Sequence, residues 1–277
     1  MTGHHAAAPG RATPETDLFD LLRDALRALR PVALATVIQG DHLGAKLLAG
    51  PGAEPMGSLG DPDLDRVVAR DLLGELAAGR SRVRHYGAHG EANEETVHVY
   101  LEVHAPAPRM LIFGAVDFTA ALARAAKVLG AYVTVCDARP VFATRARFPM
   151  ADEVVVDWPH RLLDQVGASL GPTDAVCVLT HDPKFDVPAI ASALRTDVGY
   201  IGVMGSRRTH ANRMKRLAEA GVTDPDDLAR LWAPIGLDVG ARTPEETAVA
   251  ICAEIIARRS GTSARSLRDT DGPIHRR

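Results

Sequence analysis

Cysteine is scarce in this 277-residue chain: Cys136, Cys177 and Cys252 are widely spaced and form no CxxC pair. A disulfide framework and an all-cysteine zinc or iron–sulfur site are thereby excluded, and a reducing cytoplasm fits best. Net positive charge is also missing. With 32 basic against 35 acidic residues the formal charge is −3, so no whole-molecule field exists to hold nucleic acid or an anionic membrane. No window reaches the roughly 18 uninterrupted apolar residues of a membrane span, and the start, MTGHHAAAPGRATPETD, lacks a signal-peptide pattern. Aromatics are few, at 4%, but 46% hydrophobic and 24% charged residues are what a globular protein needs to fold.

What is present divides into two halves, as a length well above roughly 150 residues leads one to expect. Small, polar and Pro/Gly residues fill 1–15 and 261–277, which read as disordered tails in which His4 and His5 have no role. An amphipathic helix is predicted over 16–30, ended by Pro31, followed by a hairpin of Pro31–Gln39 and Ala45–Ala49. Leu64, Val67, Val68, Leu72, Leu73 and Leu76 recur at helical spacing after Asp61-Pro62, with Gly79 beyond the end. Val83–Tyr86 and Thr96–Val103 alternate as strands do. Residues 16–104 thus read as a smaller mixed α/β domain, closed by the proline-rich linker at 105–108.

Beyond the linker, over 109–260, short apolar runs alternate with helical patterns, the signature of a Rossmann-like parallel sheet with helices on both faces. The strand candidates are Met110–Phe113, Tyr132–Cys136, Glu153–Val156, Ala175–Leu179 and Tyr200–Met204. Helices are expected at about 118–129, 160–168, 187–194, 208–220 and 244–259.

A dinucleotide fingerprint needs glycines at the first strand-to-helix turn so that backbone N–H groups can approach a pyrophosphate. Here MLIFGAVDFTAAL supplies Gly114 alone; Val116 stands at the second glycine position and Thr119 at the third. Asp137 ends the next strand, roughly 20 residues further on, where an acid would accept from ribose hydroxyls, though an acid there also serves as a turn former. Two later stretches put polar residues just after strands, where open α/β sheets bind ligands: Thr180-His181-Asp182-Pro183-Lys184 and Gly205-Ser206-Arg207-Arg208-Thr209-His210. The second joins a helix start to paired guanidiniums and reads as an oxyanion or phosphate site, against the blander reading that Ser206 or Thr209 caps a helix whose arginines lie in solvent. His181-Asp182 lacks a third ligand at diagnostic spacing, so no metal site is assigned, and GSR is not the GxSxG elbow of a hydrolase. In the glycine-spaced loop 233–243, Asp238 and Arg242 are available to a ligand or to each other, and Thr243-Pro244-Glu245-Glu246 is a capping box. The three cysteines sit in apolar strand or helix interiors, as small hydrophobes do.

CDARPVFATRARFP, LTHDPKFDVPAI, YIGVMGSRRTHANRMKRLAEAGV and APIGLDVGARTPEETAVAICAEIIARR together resemble the C-terminal Rossmann domain of the XdhC/CoxI family. The resemblance implies an accessory, chaperone-like protein, not a catalyst. Such a protein binds molybdenum cofactor (molybdopterin or its dinucleotide form), assists its sulfuration with a cysteine desulfurase, and inserts it into the apo-enzyme of a molybdenum hydroxylase such as xanthine dehydrogenase or carbon monoxide dehydrogenase. It implies a ligand cleft lined by Gly114, Asp137, Arg139, Thr180, His181, Asp182 and the Gly205, Ser206, Arg207, Arg208, His210 turn. Homodimerisation is an expectation for a protein of this kind.

The chain departs from that pattern in two places. The family's GAGH-like turn is Gly114-Ala115-Val116-Asp117 here, and its cysteine-bearing N-terminal stretches correspond to Gly57-Ser58-Leu59-Gly60-Asp61-Pro62 and ETVHVYLEV. No cysteine precedes Cys136. Two alternatives stand beside the leading reading: an NAD(P)-dependent oxidoreductase using the same cleft, in which Asp137 would favour NAD over NADP, and a degenerate regulatory paralogue that bridges partners.

Overall fold

The computed structural model describes residues 15–28, 30–92 and 94–271. Most of the two expected tails, His4 and His5 included, lies outside the described residues. The chain divides into two compact units at Pro106 and Ala107.

In the first unit α1 (Glu15–Arg27) precedes β1 (Val32–Gln39), β2 (Lys46–Ala49), β3 (Met56–Ser58), α2 (Pro62–Ala78), β4 (Arg82–Tyr86) and β5 (Val97–His104). The strands form one antiparallel sheet in the order β3-β2-β1-β5-β4. β1 is almost continuously buried because both faces of the sheet are covered. Ala33, Ala35 and Val37 join Leu47 and Leu101 in a core with Leu64, Val68 and Leu72 of α2. Val32 and Leu34, one residue out of step, meet Leu18 and Ala25 of α1. Asp61 caps α2, accepting from the N–H groups of Asp63 (2.9 Å) and Leu64 (3.0 Å). Strand β3 has no apolar run to announce it; its Met56, Gly57 and Ser58 are exposed at the sheet edge.

The second unit contains β6 (Arg109–Phe113), α3 (Asp117–Val128), β7 (Tyr132–Cys136), β8 (Glu153–Val155), α4 (Pro159–Val166), β9 (Ala175–Val178), α5 (Pro183–Leu194) and β10 (Tyr200–Val203). It continues with α6 (Arg207–Glu219), α7 (Pro225–Ala229), β11 (Leu231–Trp232) and α8 (Pro244–Ser260). Residues 261–271 are exposed and include a 3-10 turn, Leu267–Asp269.

The six strands are all parallel and lie in the order β11-β10-β9-β6-β7-β8. This is the doubly wound order, in which the winding direction reverses between the first and fourth strands, here β6 and β9. Alternate residues feed two separate cores. Met110, Ile112, Val133, Val135 and Cys177 pack with Leu122 of α3 and Ile251 of α8. Leu111, Phe113, Val176, Val178 and Ile201 pack with Leu163 of α4, Ile190 of α5 and Leu217 of α6.

Three elements of this unit differ from the sequence pattern. The periodicity places a helix at 187–194, but α5 already begins at Pro183: Asp182 accepts from the Lys184 N–H at 3.1 Å, and proline suits the first helical position, whose N–H is unpaired in any case. The two-residue β11 and the short α7 carry too few residues to show a period, and β11 exists through its pairing with Ile201 and Gly202 of β10.

Candidate functional site

Open parallel sheets bind ligands outside the carboxyl ends of their strands, at the point where the winding reverses. That point is marked by Gly114 after β6 and Thr180 after β9. Gly114 has φ +108°, and a side chain there would put its Cβ 2.9 Å from the Thr180 nitrogen, so only glycine lets the two loops come this close. Its N–H donates to the Cys136 carbonyl at 2.9 Å, and its own carbonyl accepts from the Thr119 hydroxyl. The third-position threonine therefore ties the turn to α3 from within. Val116 packs against the core that also takes Met204 and Ile235, so the second glycine position is apolar in structure as well as in sequence.

Asp137 is buried at the end of β7, and both carboxylate oxygens are filled. Oδ1 accepts from the Arg139 backbone N–H and Nε, each at 2.9 Å; Oδ2 accepts from Arg139 Nη2 and the Ala115 N–H, each at 2.8 Å. Burial opposes the charge, but these bonds hold the carboxyl below the ordinary carboxylate range. A carboxylate has about four acceptor positions, and none remains for ribose hydroxyls. Asp137 positions the Gly114–Val116 turn and Arg139, which removes the basis for expecting NAD in preference to NADP.

Arg139 also lies over two aromatic rings, with its guanidinium carbon 4.5 Å from the centre of Phe142 and 5.9 Å from that of Phe185. Trp158, at the start of α4, packs on Phe185 with ring centres 5.0 Å apart. The loop after β7 brings a second cation. Arg147 donates through Nη1 to the carbonyls of Ala115 (3.2 Å) and Phe142 (3.3 Å), and its guanidinium lies 5.6 Å from the centre of the same Phe142 ring. The Ala115 peptide is thus gripped at its N–H by Asp137 and at its carbonyl by Arg147.

At the β9 end Thr180 is buried, and its hydroxyl accepts from the Asp182 N–H at 3.2 Å. Asp182 caps α5, where the Lys184 N–H and ammonium lower its pKa, and His181 is exposed. At the β10 end Gly205 has φ +141°, and Ser206 caps α6 by accepting from the Thr209 N–H at 3.1 Å. Arg207 and Arg208 are exposed, and neither makes an ion pair among the described residues. The helix start offers free N–H groups and the positive end of the dipole. The cap is real and both guanidiniums lie in solvent, which is what the blander of the two sequence readings describes.

A buried ion pair beneath this turn was not visible in the sequence. Arg213 of α6 donates through Nε to Asp186 of α5 at 3.1 Å and through Nη2 to the Met204 carbonyl at 3.0 Å. Burial pushes the Asp186 carboxyl up, with Arg213 pulling the other way. Asp186 Oδ1, Arg213 Nη1 and His210 Nδ1 are buried without a hydrogen-bond partner. Burial, then the Arg213 charge, lowers the His210 pKa, which keeps the imidazole neutral near pH 7.

All three cysteines are free and buried. Burial pushes the Cys136 thiol up to about 12 and Cys252 to about 11, and Cys177 is raised as well. Among the described residues no group of three or more His, Cys, Asp or Glu is placed to hold a metal ion, and no helix is long and apolar enough to cross a membrane.

A parallel sheet in this order, with its loops converging at the switch point, defines a Rossmann-type domain. The chain belongs to the XdhC and CoxI family: residues 110–255 match the XdhC Rossmann domain, and residues 25–87 match the XdhC and CoxI family. It is 36% identical over 166 residues to a protein of Bacillus subtilis named as a probable component of xanthine dehydrogenase, covering 60% of this chain and 47% of that protein. It is 31% identical over 88 residues to the molybdenum cofactor insertion chaperone PaoD of Escherichia coli, covering 32% of this chain and 27% of that protein. The chain thus spans less than half the length of these curated relatives. A crystal structure of a xanthine dehydrogenase from Bacillus halodurans shares the fold, with a TM-score of 0.50 and 22% identity over 88% of this chain and 97% of that one.

Proposed function

We propose that this protein is an accessory factor that binds molybdenum cofactor at the carboxyl edge of its Rossmann sheet and delivers it to the apo-enzyme of a molybdenum hydroxylase. The observation that carries the reading is the Gly205–His210 turn. A capped helix start and the uncommitted guanidiniums of Arg207 and Arg208 fit the phosphate of a molybdopterin or the diphosphate of its dinucleotide form. The names borne by two relatives, one a component of xanthine dehydrogenase and the other a cofactor insertion chaperone, support the same direction.

In this reading Gly114 and Thr180 form the floor, Asp137 fixes Arg139 and the β6 turn, and His181 and Asp182 border the cleft. Bound cofactor would supply the redox chemistry of the recipient enzyme; this chain's residues bind and orient it. The raised, buried thiols make none of the three cysteines a sulfur carrier. A cysteine desulfurase acting with this protein would therefore have to pass sulfur directly to the bound ligand. A second copy of the chain is a further partner in the proposal.

Reconstitution tests the reading. Apo-hydroxylase incubated anaerobically with molybdenum cofactor gains activity faster when this protein is present, and the gain falls with Arg207→Ala/Arg208→Ala. Equal recovery with and without the protein would overturn it.

A further inference from the structure

The cations on the β7 side of the cleft carry an inference beyond the anion site at α6. Arg139 and Arg147 place two guanidiniums on one phenyl ring, that of Phe142, at 4.5 and 5.6 Å from its centre. Like charges brought together this way repel unless an anion offsets them. Asp137 is matched to Arg139 alone, and Asp182 near Arg139 is paired with Lys184 at 3.1 Å. Among the described residues Arg147 has only Asp117, 3.7 Å away and 92% exposed, where water screens the pair. Both arginines are preorganised, one by the Asp137 fork and the other by two carbonyls, so presenting them to a ligand costs little side-chain entropy.

Their place in the fold says what they would take. Arg147 bonds the Ala115 carbonyl and Arg139 the carboxylate that holds the Ala115 N–H, at the start of α3, where Val116 prevents the close backbone approach that a pyrophosphate needs. They also occupy the strand end at which a free acid would bind a ribose diol, an acid here already saturated. An arginine at that strand end is the usual partner of a phosphate carried on the sugar.

We propose that Arg139 and Arg147, steadied by Phe142, form a second anion site that binds a phosphate monoester on the ligand, and that the cleft prefers a ligand phosphorylated at that end over one with a free diol. The inference rests on the carboxyl edge being the ligand cleft of the proposed function.

Calorimetry with two probes differing by one phosphate, adenosine 2′,5′-bisphosphate and adenosine 5′-monophosphate, tests it directly. The bisphosphate binds at least about 10-fold more tightly, as a charge-assisted contact is worth, and inorganic phosphate competes for it. Arg147→Gln abolishes the preference in a protein that still unfolds cooperatively. Arg139→Lys, which keeps the charge but loses the fork to Asp137, weakens bisphosphate binding in a protein that still folds. Equal affinities, no binding of either probe, no competition by phosphate, or a preference indifferent to Arg147→Gln would each overturn the site.

Titration with molybdenum cofactor separates this inference from the functional reading. Cofactor binding unmoved by Arg147→Gln removes the second site and leaves the carrier. Arg147-dependent probe binding by a protein that takes no cofactor removes the carrier and leaves the site.

Discussion

Arg139 closes a fork on Asp137, its Nε 2.9 Å from one carboxylate oxygen and its Nη2 2.8 Å from the other. The pair turns a strand-end acid from a ligand-binding group into a brace for the neighbouring turn, because Oδ2 also takes the Ala115 N–H. Asp137→Asn is expected to cost ~1–3 kcal/mol, the penalty of leaving buried donors badly matched. Thermal unfolding of the two proteins at pH 7 checks it.

The same carboxylate fixes the sign of one pH effect. Its folded pKa lies below the ordinary 3.8, so its contribution to stability is complete well above that value and is lost as pH falls through the folded pKa. The difference in melting temperature between the wild type and Asp137→Asn should therefore be constant from pH 7 to about 5 and shrink below about 4. A difference that grows on acidification would contradict the assignment.

Gly114→Ala adds a Cβ 2.9 Å from the Thr180 nitrogen at a φ of +108°. The expected loss exceeds ~1 kcal/mol, since alanine is strained there and the clash is with backbone. Chemical denaturation reads the loss, and backbone amide shifts at Thr180 and Ala115 show where the strain falls.

Arg213→Met should be among the most damaging substitutions in the second unit. It leaves the buried Asp186 carboxylate, bonded at 3.1 Å, without its counter-charge, at a cost of ~3–5 kcal/mol. Arg213→Met/Asp186→Leu should recover most of that loss, because the unpaired charge is gone as well. A double-mutant cycle that is merely additive would show that the two side chains are not coupled.

Thiol reactivity gives a further check. With Cys136 and Cys252 raised to about 12 and 11 and all three side chains buried, native protein should resist an aromatic disulfide reagent at pH 7.5 and react only when unfolded. Rapid labelling of a native thiol would reopen a sulfur-carrying role.

Much of this was legible in the sequence wherever local chemistry is strong. The Asp61-Pro62 start of α2 and the Thr243 to Glu246 capping box at α8 are written in residue types at fixed offsets, and both form as expected: Thr243 Oγ1 accepts from Glu246 N–H, and Glu246 Oε2 from Thr243 N–H, each at 3.1 Å. The parallel sheet followed from apolar runs alternating with helical periods. The Asp137 brace did not, because whether an acid at a strand end faces solvent or a turn depends on a partner arriving from another loop. Arg147 lay within a quoted motif yet stood out in no way, since nothing local says that its guanidinium reaches back to Ala115. The Asp186–Arg213 pair was hidden for the same reason: in sequence Asp186 lies just before a predicted helix and Arg213 is an ordinary polar helix residue, and only the packing of α5 on α6 buries them together.

Cofactor binding itself is the most direct test of the central claim. Purified protein is titrated anaerobically with molybdenum cofactor, and separately with NAD and NADP, by calorimetry. Saturable cofactor binding that weakens at least ~10-fold in Arg207→Ala/Arg208→Ala is the predicted result, since two charge-assisted contacts would be lost. Binding of NAD or NADP with no binding of molybdenum cofactor, or no binding at all, would contradict the account.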